Sequence, residues 1–251
     1  MSYFTGIMGL SAAQVTALIA RNQPEGTAGL YSCKTILNEH RPVCTKEYSL
    51  TGKYLDGADN PDVWFPIAGA GGGSVTYSDR YLTLTSGTLV NSATRCVIDQ
   101  TKFPITGNFV ELTCKIGALV EGSGGTRNPV IGFMPAFNTF WSIDRAVFYW
   151  AASSQNWYIG YGGSTGKQIR LSTLALGRDL QSGDIVTVRL DRQEGSSNID
   201  IVRFYVNGQK QYETLDIPTQ NCYAGVGVFS DEDTTTAMSL SIDYFGCKYV
   251  P

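Results

Sequence analysis

Sugar hydrolysis by paired carboxylates needs two acids on one face, roughly 5–5.5 Å apart in the retaining case, and alternate positions of a strand supply such a pair. The acids that stand two positions apart in this sequence are Asp231 and Asp233, inside Asp231-Glu232-Asp233 and followed by three threonines. They close a strand-like stretch and read as a polar turn. Three adjacent acids cannot all point at one cation, so calcium at Asp231 and Asp233 needs ligands from elsewhere in the chain. No metal ion or other cofactor is expected. The sole histidine, His40, sits in Asn38-Glu39-His40-Arg41-Pro42, a weakly patterned stretch. A Ser–His triad and a multi-histidine metal centre therefore have no basis. Gly69-Ala70-Gly71-Gly72-Gly73-Ser74 lacks the Lys-Ser/Thr and the following helix of a phosphate cradle, and reads as a loop.

Aromatic residues offer more. Trp141, Phe148, Tyr149, Trp150, Trp157, Tyr158 and Tyr161 crowd into 141–161, with Asp144, Arg145, Gln155 and Asn156 between them. In a strand, Phe148 and Trp150 point one way and Val147 and Tyr149 the other, and Tyr158 is likewise opposed to Trp157 and Tyr161. Rings beside amides and carboxylates suit sugar faces and hydroxyls, or the anchors of a protein interface. The expected ligand site is Trp141, Asp144, Tyr149, Asn156, Trp157 and Tyr161; the alternative is that these rings fill the core of a wide sandwich.

The elements that must position them are strands. Alternation is read over 63–67, 80–85, 95–99, 108–119, 130–133, 146–151, 157–161, 184–192, 199–206, 209–215, 222–230 and 238–249. Asn207-Gly208 joins two of these as a hairpin. About a dozen strands without an intervening helix predict an all-β fold, a two-sheet antiparallel jelly-roll sandwich over residues 61–251. Ahead of it, Ser11 and Gln14 form a capping box, and Val15, Leu18 and Ile19 line one stripe of a short helix over 12–21. That stripe is too small to stabilise an isolated helix. Residues 1–60, with no firm strands assigned, are expected to be an attachment or oligomerisation element that buries it.

Composition sets limits. A hydrophobic content of 43% with 16% charged residues supports a sizeable core. A net charge of -3 gives no footprint for a nucleic-acid backbone. Residues 1–10 carry no Lys or Arg and too short an apolar run for a secretory signal, and no apolar stretch is long enough to insert into a membrane. The six cysteines show no two-residue spacing of a zinc or redox motif. Cys114 and Cys222 fall in phase with apolar strand neighbours, so free, buried thiols and synthesis in a host cytoplasm are expected.

The stretch Gly183-Asp-Ile-Val-Thr-Val-Arg-Leu-Asp-Arg192, then Val202-Arg-Phe-Tyr-Val-Asn-Gly208, resembles a hairpin of the concanavalin A-like lectin and glucanase superfamily, with its SPRY and laminin-G-like branches. Tyr223-Ala-Gly-Val-Gly-Val-Phe-Ser230 is similar to that family's penultimate inner strand, and Leu240-Ser-Ile-Asp-Tyr-Phe245 to its closing strand. The resemblance implies a curved sheet stacked on a flatter one, a fold that hosts lectins, glycosidases, lyases and virion proteins. The family's alternating catalytic acids are absent, as is the inner-strand histidine of its alginate-lyase-like members. The expected function is therefore non-catalytic: a virion-associated protein of a bacteriophage or similar virus, such as a capsid decoration, head fibre or tail-associated adhesin. Its N-terminal segment would hold other virion proteins or copies of itself, and its sandwich a glycan or cell-surface receptor. Two alternatives stand beside it: a glycan-processing enzyme using Glu111, Asp144 or Asp200, and an intracellular SPRY-like peptide-binding module.

Overall fold

Alternation in Ile185–Asp191 places Val186, Val188 and Leu190 in the interior and turns Thr187, Arg189 and Asp191 outward. This pattern fixes register, because a one-residue slip would expose the whole apolar row. The computed structural model describes residues 46–51, 64–68, 72–78, 81–89, 92–98, 109–120, 127–134, 145–151, 153–162, 166–191, 201–216, 222–230 and 237–250. They form β1 (Lys46–Thr51), β2 (Trp64–Ala68), β3 (Ser74–Tyr77), β4 (Leu82–Thr85) and β5 (Ser92–Ile98). Next come β6 (Phe109–Val120), β7 (Arg127–Met134), β8 (Arg145–Ala151), β9 (Asn156–Gly162) and β10 (Lys167–Arg170). Then follow β11 (Ile185–Asp191), β12 (Ile201–Val206), β13 (Gln209–Thr214), β14 (Tyr223–Ser230) and β15 (Ser239–Val250). The chain divides between Val43 and Cys44, and every described residue belongs to the second unit. The helix expected over 12–21, with Val15, Leu18 and Ile19, lies outside the described residues.

Two sheets result, antiparallel at every described pairing. One runs β13-β12-β11-β6-β15-β4-β3 with β1 added beside β15; the other runs β10-β9-β8-β7-β14-β5-β2. The twelve-residue β15 organises the first sheet. β6 pairs along one of its edges, while β4 and β1 share the other, opposite Ser239–Ile242 and Tyr244–Tyr249 respectively. Between the sheets lies a continuous core. Leu84, Leu112, Val188, Phe204 and Leu240 from the first sheet meet Ile131, Phe148, Ile159 and Val226 from the second, and the Phe148 and Phe204 rings meet edge to face at 5.5 Å. This is the all-β, two-sheet antiparallel sandwich expected from the sequence.

Asn207 and Gly208 take φ of 51° and 78°, the left-handed pair a two-residue hairpin turn requires. Asn207 also ties the turn to its surroundings, accepting from the Ile185 amide at 2.9 Å and donating to Asp184 at 2.8 Å. Asp184 further accepts both terminal nitrogens of Arg178 and the Gln181 amide. Burial pushes its carboxyl up, but these hydrogen bonds together hold it below the ordinary value.

Three strands lack a counterpart in the sequence reading. β1 falls in the stretch left without firm strands, so the sandwich takes in residues ahead of 61. β3 and β10, four residues each, stand at the ends of their sheets, and each is defined by pairing with one neighbour, β4 and β9 respectively. Cys96, Cys114, Cys222 and Cys247 are thiols buried in the core, and burial pushes the Cys96 and Cys114 thiols well up.

Candidate functional site

Both faces of the seven-stranded sheet are packed in its middle. Its inward side chains join the main core, and on its outward face Val130, Met134, Val147, Tyr149 and Phe229 form a second buried apolar cluster. The site lies where this outward face meets the β9–β10 margin.

The hairpin between β8 and β9 sets its geometry. Gln155 takes φ 53° in the turn, and the Ser154 amide donates to the Ala151 carbonyl at 3.2 Å. Register then places Tyr149 opposite Tyr158 and Ala151 opposite Asn156, while β10 brings Arg170 opposite Tyr158 and Gln168 opposite Gly160. The Tyr149 and Tyr158 rings stack at 5.5 Å with 20° between their planes. The Arg145 guanidinium lies 5.0 Å from the Tyr149 ring centre. Gly160 makes room for it, since a Cβ there would stand 2.8 Å from Arg145 Nε and 3.1 Å from Tyr149 Cε1. The Tyr149 hydroxyl donates to Gln168 Oε1, and Arg170 Nη2 donates to Asn156 Oδ1.

Exposure rises steadily toward the edge. Arg145 and Tyr149 are buried, Tyr158 and Asn156 are half-buried, and Gln168 and Arg170 are exposed. Burial raises the Tyr149 phenol, with the Arg145 charge opposing it, and burial lowers the Arg145 guanidinium. Tyr149 is thus held as a neutral donor at ordinary pH, which suits a fixed hydrogen bond and not a base. What the margin presents is one face of a stacked tyrosine pair ringed by two amides and a guanidinium.

Of the residues expected to bind ligand, Tyr149 and Asn156 are brought together here. Trp157 and Tyr161 point the other way, into the core between the sheets, where the Tyr161 hydroxyl meets that of Tyr212 at 2.8 Å. Strand alternation had separated these two from Tyr158, but alternation alone does not tell which side is interior. Trp141 and Asp144 lie outside the described residues, as do His40, Asp200, Asp231 and Asp233. Tyr158, Arg145, Gln168 and Arg170 complete the cluster without having been chosen from the sequence. The signal for Tyr158 and Arg145 is their place among the aromatics; Gln168 and Arg170 carry none, because β10 has a single apolar side chain and no alternation of its own.

Glu111, the one described member of the acids weighed for catalysis, sits on the outward face of the other sheet. Its carboxylate accepts from Nε and Nη2 of Arg189, and both side chains are nearly buried. Arg189 is in turn held 5.4 Å from the Phe109 ring centre and 5.2 Å from that of Tyr205. On the same face Arg203 pairs with Asp191 and Glu213, and Lys115 with Asp243. These are structural ion pairs, and none of them approaches the tyrosine cluster across the sandwich.

No family model matches the chain, and no curated protein matches it. Among solved structures, a protein of unknown function from Shewanella oneidensis MR-1 is similar over 89% of this chain and 96% of its own, with 15% identity and a TM-score of 0.52. The Emp47p carbohydrate recognition domain is similar over 81% of this chain and 96% of its own, at 14% identity and a TM-score of 0.46. A Bacillus licheniformis beta-glucanase covers 81% of this chain and 98% of its own, at 12% identity and a TM-score of 0.47. At such identities the likeness to the Shewanella protein is one of fold alone, and the chain is one more sequence that closes this two-sheet sandwich.

Proposed function

We propose that this chain is a non-catalytic, virion-associated binding protein: a capsid decoration, head-fibre or tail-associated adhesin made in the host cytoplasm. Its lectin-like sandwich engages a glycan or host-surface receptor, and its N-terminal segment holds it to other virion proteins or to copies of itself. One observation carries the binding reading. Tyr158 is stacked on a buried Tyr149 and flanked by Asn156, Gln168 and Arg170, so an aromatic platform and fixed polar groups converge at an accessible sheet margin. Such a platform presents flat apolar area at low entropic cost, with hydrogen-bonding groups to orient a hydroxylated ring. The engagement of Glu111 by Arg189 and the raised Tyr149 phenol support binding without turnover.

The test is a glycan array followed by calorimetry on the best ligand, with wild type and Tyr158→Ala. Loss of an anchor of this kind costs about 2 kcal/mol or more, roughly thirtyfold in Kd, while the melting temperature should hold because Tyr158 lies at the margin. Mass spectrometry of purified particles tests the virion assignment by asking whether the chain is a stoichiometric component. Polysaccharide turnover by purified protein overturns the non-catalytic reading, and a Tyr158→Ala protein that binds as wild type moves the site elsewhere.

A further inference from the structure

Charge is segregated between the two sheets. The strands of the seven-stranded sheet contain Arg95, Arg127, Arg145, Lys167 and Arg170 and no Asp or Glu, in a chain whose net charge is -3. On the eight-stranded sheet, Arg189, Arg203 and Lys115 are each matched by a carboxylate, and on the seven-stranded sheet Lys167 is matched by Asp216 at 2.6 Å. Three of the five basic residues take outward positions on the seven-stranded sheet: Arg95 beside the Phe229 ring, Arg145 beside the Tyr149 ring, and Arg170 in register with Tyr158.

Register lines two of them up. Arg170, Tyr158, Tyr149, Val130, Gly227 and Arg95 are successive cross-strand partners over six strands. With strands about 4.8 Å apart, this row extends about 24 Å across the sheet, perpendicular to the strands. Arg170 at its open end is exposed, and among the described residues its partner is the neutral amide of Asn156 and not a carboxylate. Arg95 and Arg145 are buried, so Arg170 is the member of the three that a ligand can reach directly.

We propose that the ligand of this face is an anionic polysaccharide, a sugar chain bearing carboxylate or sulfate groups, which stacks on Tyr158 and places an acid group on the Arg170 guanidinium. The proposal rests on the glycan-binding reading above and adds the chemical class. A guanidinium matches carboxylate and sulfate oxygens with paired, directional donors that a neutral sugar cannot use fully. A neutral glycan would gain the platform and forgo the ion pair with Arg170.

Titration of the full-length protein with polygalacturonate, dextran sulfate, unmodified dextran and a single-stranded oligodeoxynucleotide, at about 50 and 300 mM salt, decides the matter. The expected result is binding of one or both anionic polysaccharides at least tenfold tighter than dextran, weakened by salt. The first two ligands distinguish carboxylate from sulfate. Arg170→Gln should weaken that binding about tenfold or more with an unchanged melting temperature, and Arg170→Lys should restore part of it. Dextran bound as tightly as the anionic chains, without salt dependence, overturns this inference and leaves the glycan-binding reading intact. Binding of none of the polysaccharides overturns both. An oligonucleotide bound as tightly as the anionic sugars, or an Arg170→Gln protein that binds them unchanged, also overturns it.

Discussion

Replacing Glu111 by Gln separates a structural acid from a catalytic one. The substitution is nearly isosteric but removes the negative charge that Arg189 faces through Nε and Nη2. The two side chains are 7% and 10% exposed, so water cannot take over that role cheaply. Breaking a buried pair from one side costs about 3–5 kcal/mol, because the remaining charge stays buried without compensation. Glutamine keeps one acceptor oxygen, and the Phe109 and Tyr205 rings continue to hold the guanidinium, so the low end, about 3 kcal/mol, is expected. For a domain near this size that is a fall of about 6–12 °C in Tm. Replacing both partners, as Glu111→Leu with Arg189→Met, should recover most of the loss, since a well-packed apolar pair often equals the ion pair it replaces. The assay is thermal and urea unfolding of the three proteins beside a reducing-sugar measurement on common glucans. If Glu111→Gln melts within about 1 °C of wild type, the reasoning from burial fails; if it also abolishes a measurable turnover, Glu111 is a catalytic acid.

Peptide-level alkylation should find Cys96, Cys114, Cys222 and Cys247 unreactive in the native protein and all four reactive after denaturation without reductant; protection that needs reductant to release would mean disulfides. Asp184→Asn should cost about 2 kcal/mol through the Arg178, Asn207 and Gln181 contacts. Because the native Asp184 carboxyl is held below its ordinary value of 3.8, its contribution is present above that pH and is lost as pH falls through the depressed value; unfolding measured between about pH 5 and pH 2 should show a shallower decline in the variant. Gly132→Ala should be worse than Gly160→Ala: at Gly132, φ is 145° and a Cβ would stand 2.3 Å from the Ala146 carbonyl oxygen, whereas at Gly160 it would meet the movable end of Arg145. Equal melting temperatures for the two would refute that ranking.

Much of the sandwich was legible because half-buried strands announce themselves by period. Twelve of the fifteen strands among the described residues lie where alternation put them, and the Asn207-Gly208 turn was readable from its two residues. Of the remaining three, β1 pairs with β15 across some two hundred positions, and no local pattern encodes that, while β3 and β10 are four-residue strands paired with their sequence neighbours β4 and β9. The candidate site was half legible for the same reason. Alternation correctly split Tyr149 from Phe148 and Trp150, and Tyr158 from Trp157 and Tyr161, yet the sign of each split is set by which face meets the second sheet, a tertiary fact. Arg170 was invisible because its position depends on β10, whose four residues carry only one apolar side chain, Ile169.

The placement of β15 also governs when this protein can fold. β6 ends at Val120, and the strand that must lie beside it begins at Ser239. At a synthesis rate of about 5–20 residues per second, β6 waits roughly 6–24 s on the ribosome before its neighbour emerges. Through that interval β1, β4 and β6 all have the β15 position empty, and their backbone edges are open to any passing strand. Folding of the eight-stranded sheet is therefore a late and nearly all-or-none event, and yield during overproduction should improve when translation is slowed less than it improves when the growth temperature or chaperone supply limits aggregation of the waiting chain.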